Sequence, residues 1–165
     1  MPVVDAVDRW VDRIGRAASW LTLAIVVLMA TNVLLRYAFS IGSVWSQELE
    51  WHLLASMVLA GMTYALAQGE HVRVDVLYAK YTPRRKALVD LLSALLAVAF
   101  ALLVMRYAIP YVLQSYSIGE ISSDPGGLTH RWVLKAMIPL GFALFALQAA
   151  AQGVGAWRRF VKAGA

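Results

Sequence analysis

The sequence predicts an all-α membrane protein of four transmembrane helices, with both termini on the cytoplasmic side. Three observations predict it: an excess of apolar residues, four long stretches without charge, and an uneven placement of positive charge. Of 165 residues, 61% are hydrophobic and only 15% charged, against roughly a quarter charged in ordinary soluble domains. Charge is absent from residues 17–35, 51–67, 91–105 and 136–157, and again from 107–119 beyond Arg106. About 20 apolar residues of helix cross a bilayer core, so these stretches are read as spans at 17–38, 46–68, 84–110 and 133–156 of one four-helix membrane domain, 1–165. The connections are too short to bury a core of their own, which leaves no room for a soluble domain.

Orientation follows from lysine and arginine, which concentrate in short cytoplasmic loops. Alternate compartments receive them eleven to four. Arg9, Arg13 and Arg16 precede the first span, Arg73, Lys80, Arg84, Arg85 and Lys86 lie between the second and third, and Arg158, Arg159 and Lys162 follow the fourth. Arg36, Arg106, Arg131 and Lys135 fall to the other side, each expected near a helix end where its charge can snorkel to the interface. The net charge of +5 is therefore a topological signal, and no nucleic-acid partner is expected. Asp5, Asp8 and Asp12 among the first arginines, and a long apolar run without a small-residue cleavage site, read as a permanent first helix and not a cleaved signal.

Local chemistry marks the helix ends. Ser43 or Ser46 suits the N-cap of the second helix, Gly69 its end, and Thr82 followed by Pro83 the start of the third. Pro139 inside the fourth predicts a kink. Val4, Val7, Val11 and Ile14 recur at helical spacing before the first span. Residues 72–81 read either as a short interfacial amphipathic helix, with Val74, Leu77, Tyr78 and Tyr81 on one face, or as an extended loop in which His71 to Asp75 alternate.

Candidate functional residues gather at the outer end. Asn32 and Arg36 face a short hairpin followed by Trp45, Glu48, Glu50 and His52, so Arg36 is placed to pair with Glu48 or Glu50, and Glu48 with His52 at i, i+4. The cluster is either an interfacial ion pair with a belt aromatic or a contact for a membrane partner. The outer loop 115–132 carries Glu120 and Asp124, with Pro125 and Gly126 suited to the centre of a type II turn. It is longer than a connector requires, and so is a candidate docking surface. The chain has no cysteine. His52, His71 and His130 do not have the spacing of a metal or haem site, and no nucleophile, base and oxyanion donor cluster, so neither cofactor nor enzymatic activity is expected.

Residues 32–37 (NVLLRY), Trp45 with Glu48, residues 69–75 (GEHVRVD), and residues 119–148 with DPGGL, RWVLKAMIPLGF and Gln148 together resemble the small membrane subunit, the Q or DctQ-like subunit, of tripartite ATP-independent periplasmic (TRAP) transporters. Thr129 and His130 depart from the pattern, which has a proline soon after GGL. The resemblance implies a bacterial inner-membrane subunit of an uptake system for an organic acid. A periplasmic substrate-binding protein captures the solute, a large polytopic subunit moves it with a sodium gradient, and the small subunit packs beside the large one. Asn32, Arg36, Trp45, Glu48, Arg73, Asp75, Glu120 and Asp124 are the candidate subunit or partner contacts. The alternatives are a haem-bearing membrane anchor of an oxidoreductase, which would show a Soret band, and a small transporter that works by itself.

Overall fold

The computed structural model describes residues 2–69 and 78–163. They form four helices and no strand: α1 (Pro2–Phe39), α2 (Val44–Gln68), α3 (Pro83–Ser117) and α4 (Trp132–Lys162). Each is long and apolar enough to cross a membrane. Residues 72–77, most of the segment read as an interfacial helix or loop, lie outside the described residues, as do Arg73 and Asp75.

The expected caps form. Ser43 is the N-cap of α2, accepting a hydrogen bond from Ser46 N at 3.4 Å, and Gly69 closes that helix with φ 77°, a left-handed conformation that glycine adopts without steric cost. Thr82 caps α3 by accepting from Arg85 N at 3.4 Å, with Pro83 next to it in the first turn. Two helices are longer than the apolar pattern alone requires. α1 absorbs the amphipathic N-terminal segment without a break: Val11 is 2% exposed, and Val7 and Ile14 are half-buried. α3 continues through Arg106 and Pro110 to Ser117. At 35 residues it is about 52 Å long, well over the roughly 30 Å of a hydrocarbon core. α4 likewise runs unbroken through Pro139.

α1 packs along α2 and α3 along α4, and α4 is the helix that meets all three others. The α3–α4 seam explains how they approach. The buried residues of α3 are Ala87, Ala94, Ala101, Ala108 and Ser115, one every seventh position. A strict seven-residue repeat keeps one seam facing a partner helix with a left-handed supercoil, and small residues on it let two backbones come close. Ala101 is fully buried, packed in a cluster with Leu66, Phe145 and Ala149. On the α2 side of α4, Gly141 does the same: a Cβ there would stand 2.9 Å from Leu59 Cβ. Large side chains point outward, among them Leu95, Leu96 and Phe100.

The seam generates a stability prediction. Ala101→Phe overpacks a fully buried site and should destabilise the chain by about 1–3 kcal/mol, read as a lower unfolding midpoint in mild detergent. Leu96→Phe, at a position 71% exposed, should leave the midpoint unchanged; equal effects would contradict the packing described.

Candidate functional site

The polar residues separate into two clusters, one at each end of the bundle. The first lies where the start of α2 meets the 118–131 loop, and Glu48 is its centre. α2 begins at Val44, so Glu48 sits one turn in and projects toward the loop. One carboxylate oxygen accepts from the Ser122 hydroxyl, and the other accepts from the Leu128 backbone N–H at 2.6 Å. Gly127 permits this approach, since a Cβ there would stand 2.8 Å from Glu48 Oε2 and 2.5 Å from the Ser122 side chain.

The loop is internally ordered around that carboxylate. Gly127 N donates to Asp124 O at 3.0 Å, and Gly126 has φ 81°, which makes the Asp-Pro-Gly-Gly segment the expected type II turn. Ser122 N donates to Leu128 O at 3.0 Å and Arg131 N to Glu120 O at 3.2 Å. Glu120 is ion-paired with Lys135 of α4, whose ammonium also lies 3.9 Å from the centre of the Tyr111 ring. The hydrogen bond from Lys135, reinforced by the positive charges of Lys135 and Arg131, holds the Glu120 carboxyl below the usual carboxylate range. Tyr116 and Trp132 meet edge to face at 5.4 Å at the base of the loop.

The pairings expected of Arg36 do not form. Glu48 is turned to the loop, and Glu50 accepts from the Asn32 amide on α1. The antiparallel α1–α2 register explains this: with Asn32 level with Glu50, Arg36 lies one turn beyond, while the 100° step per residue turns Glu48 away from α1. Among the described residues no carboxylate is within ion-pair distance of Arg36; it lines a groove of about 740 Å³ with Trp51, Glu50 and Asp124. His52 Nδ1 lies 2.6 Å from the Glu48 backbone carbonyl and not at its carboxylate, and Trp45 is 49% exposed. His130 is beside the Thr129 hydroxyl at 2.9 Å. Ser122, Gly127, Leu128 and Lys135 complete the site; the sequence marks Gly127 and Leu128 within DPGGL and Lys135 within RWVLKAMIPLGF, but assigns none of the four a contact with Glu48 or Glu120.

The second cluster is at the end that carries both termini. Gln148 Nε2 donates to Asp8 at 2.8 Å, Gln152 Nε2 to the Leu66 carbonyl at 2.5 Å, Arg159 pairs with Asp90 at 3.1 Å, and Tyr78 donates to Asp90 at 2.9 Å. Toward the middle of the bundle the interior is lined by Ala101, Phe142 and Phe145, with the buried polar side chains of Thr63 and Gln148 adjoining it.

Residues 25–159 match the family described as tripartite ATP-independent periplasmic transporters, DctQ component. The chain belongs to this family. Among its curated relatives, the ectoine TRAP transporter small permease protein TeaB of Halomonas elongata is 30% identical over 74% of this chain and 65% of its own length. A putative TRAP transporter small permease protein of Haemophilus influenzae is 28% identical over 71% of this chain and 76% of its own length. The C4-dicarboxylate TRAP transporter small permease protein DctQ of Vibrio cholerae is 27% identical over 58% of this chain and 45% of its own. The chain thus spans just under two thirds of the first relative. In this DctQ component the matched region contains all of α2, α3 and the Glu48-bound loop.

The loop is testable by hydrogen exchange. Gly127→Ala should raise amide exchange across 120–131 about tenfold, as expected when a hydrogen-bonded turn is forced open. Because the Glu120 pKa is depressed, its pairing stabilises the loop above the ordinary carboxylate pKa of about 4.3 and loses that effect as pH falls through the lowered value. Glu120→Gln should remove this component of the acid dependence; an unchanged profile would contradict the assignment.

Proposed function

We propose that this chain is the small membrane subunit of a tripartite uptake transporter for an organic acid. In this reading it resides in the bacterial inner membrane with both termini cytoplasmic. It packs against a large polytopic transport subunit and helps dock a periplasmic substrate-binding protein. The observation that carries the reading is that no charged side chain is buried among the described residues, and that the core of Leu66, Ala101, Phe145 and Ala149 has the neutral polar groups of Thr63 and Gln148 beside it. A solute path needs polar groups at mid-membrane, usually beside interrupted helices, and α3 and α4 continue through their prolines. A supporting role fits such a bundle better than a conduit.

The Glu48-bound loop supports a docking role. Fixed by a carboxylate from α2 and an ion pair to α4, it presents Asp124 on a preformed turn, which lowers the ordering cost that a flexible loop would bring to binding. The relatives bear the names of different substrates, ectoine and C4-dicarboxylate, consistent with selectivity residing in the other components. The organic-acid class itself rests on the resemblance in the sequence.

Two measurements test the proposal. The chain has no cysteine, so single cysteines report topology cleanly: one at Asp124 should react with an impermeant maleimide from outside the cell, and one at Lys80 only after permeabilisation. The reverse pattern would invert the orientation. Extracted in mild detergent with its genomic neighbours, the chain should copurify with a larger polytopic protein, and substitution of Asp124 by Lys should weaken stimulation of uptake by the binding protein without reducing that copurification.

A further inference from the structure

The end of the bundle that carries both termini contains a cavity of about 670 Å³. Unequal helix lengths create it. α2 stops at Gly69, and Gln152 of α4 is hydrogen-bonded to Leu66 in its last turn, yet α4 runs on to Lys162. α3 lies beside α4 here, with Ala94 against Gly153, and reaches back to Pro83. α1 and α3 do not pack along each other, so the space beyond α2 stays open, with Asp8 of α1 on one side, Asp90, Ser93 and Ala97 of α3 on the other, and α4 beneath. Along α4 the lining extends from Arg159 to Gln148, eleven residues or about 16 Å, which brings it to the middle of that helix. It ends there, because Ala97 and Ala149 pack into the cluster of Leu66, Ala101 and Phe145.

The lining is polar and bears an uncompensated charge. Arg159 and Asp90 pair at 3.1 Å, so their charges offset each other. Asp8 differs: its described hydrogen bond comes from the neutral amide of Gln148, at 2.8 Å. No lysine and no other arginine is among the described lining residues, which leaves one net negative charge, held by Asp8 next to Gln148. Gln148 itself is 1% exposed, and its Oε1 has no hydrogen-bond partner among the described residues. Asp8 and Arg159 are exposed, so solvent has access to the cavity. Cavities that stay dry are apolar, whereas a roomy one with several polar groups takes water, and a carboxylate with no cation at close range needs hydration to keep its charge. Polar groups at membrane depth are tolerated where they line a water-filled space.

We infer that this cavity is a blind aqueous vestibule, open at the end that carries the termini and reaching Gln148 and Ala97, which draws in small hydrophilic cations of alkylammonium size in preference to anions. A cleft lined by one sign of charge between low-dielectric walls concentrates counter-ions in this way. Packing of Leu66, Ala101 and Phe145 closes the inner end, so the vestibule is an entry and not a passage. The inference rests on the geometry of this chain and not on its proposed partners.

The chain has no cysteine, so hydrophilic thiosulfonates can map the vestibule through single introduced cysteines. The experiment uses the full chain, coexpressed with its genomic neighbours, in native membranes opened to reagent on both faces. Ser93→Cys and Ala97→Cys should react. Leu96→Cys, beside Ala97 in the chain but 71% exposed on the outer face, and Ala101→Cys, one turn deeper and fully buried, should stay unreacted. With each rate taken relative to a free thiol in solution, a trimethylammonium reagent should outpace a sulfonate reagent about tenfold at Ala97→Cys. Asp8→Asn, which keeps an acceptor for the Gln148 amide, should abolish that preference. If Ala97→Cys is as slow as Leu96→Cys, hydrocarbon or protein fills the cavity and the inference fails. If the two are equally fast, water bathes α3 on all sides and there is no vestibule. No preference for the cation, or one that survives Asp8→Asn, overturns the charge assignment. Absence of a copurifying polytopic protein would count against the proposed function alone.

Discussion

Close backbone contact along α4 is the constraint on which the rest of the structure depends. Lipid tails are as apolar as leucine, so burying large apolar side chains between helices gains little there, and association comes from contact and a few polar pairings. The seam meets that condition with Ala87, Ala94, Ala101 and Ala108 on α3 and Gly141 on α4 against Leu59 of α2. Small residues face inward and Leu95, Leu96 and Phe100 face outward, the reverse of a soluble core.

α4 thereby joins two hairpins that otherwise share little. The polar contacts at the bundle ends secure that arrangement across long sequence separations: Glu48 with Ser122 and Leu128 at one end, Asp8 with Gln148 at the other. Each joins one hairpin to the other, so each resists the sliding that a smooth apolar interface allows. Glu48 does more than fix register. By occupying both oxygens with loop donors it turns a connection rich in glycine and proline into a defined surface, and the exchange of flexibility for shape is what a docking element requires.

A bundle held this way suits a supporting subunit of a DctQ type. Its rigidity comes from contacts within the chain, while the chemistry left open is peripheral: Arg36 in its groove, Asp124 on its turn, and Arg106 on the outer face of α3. Arg36 and Asp124 line one groove at the loop end, and Arg106 is exposed on α3.

The sequence by itself determined the four helices, their caps at Ser43, Gly69, Thr82 and Pro83, and the turn at Pro125–Gly126, because these depend on local torsion angles, hydrogen bonding and apolar length. The family was legible from motifs for the same reason, each being short and ordered along the chain. The residues of the candidate site were legible as a neighbourhood: Asn32, Glu48 and Glu120 all make contacts at that end. Their partners were not. Whether Glu48 meets Arg36 or the Ser122–Leu128 segment depends on the rotation of α2 about its axis and the register of α1 beside it, and both are set by side chains far away in sequence. The depth of Arg106 was hidden too, since helix propensity and composition leave open how far α3 runs past Pro110. Packing against α4 out to the Tyr116–Trp132 contact decides it, because tertiary contact can carry a helix through a residue that local preference alone would treat as an end.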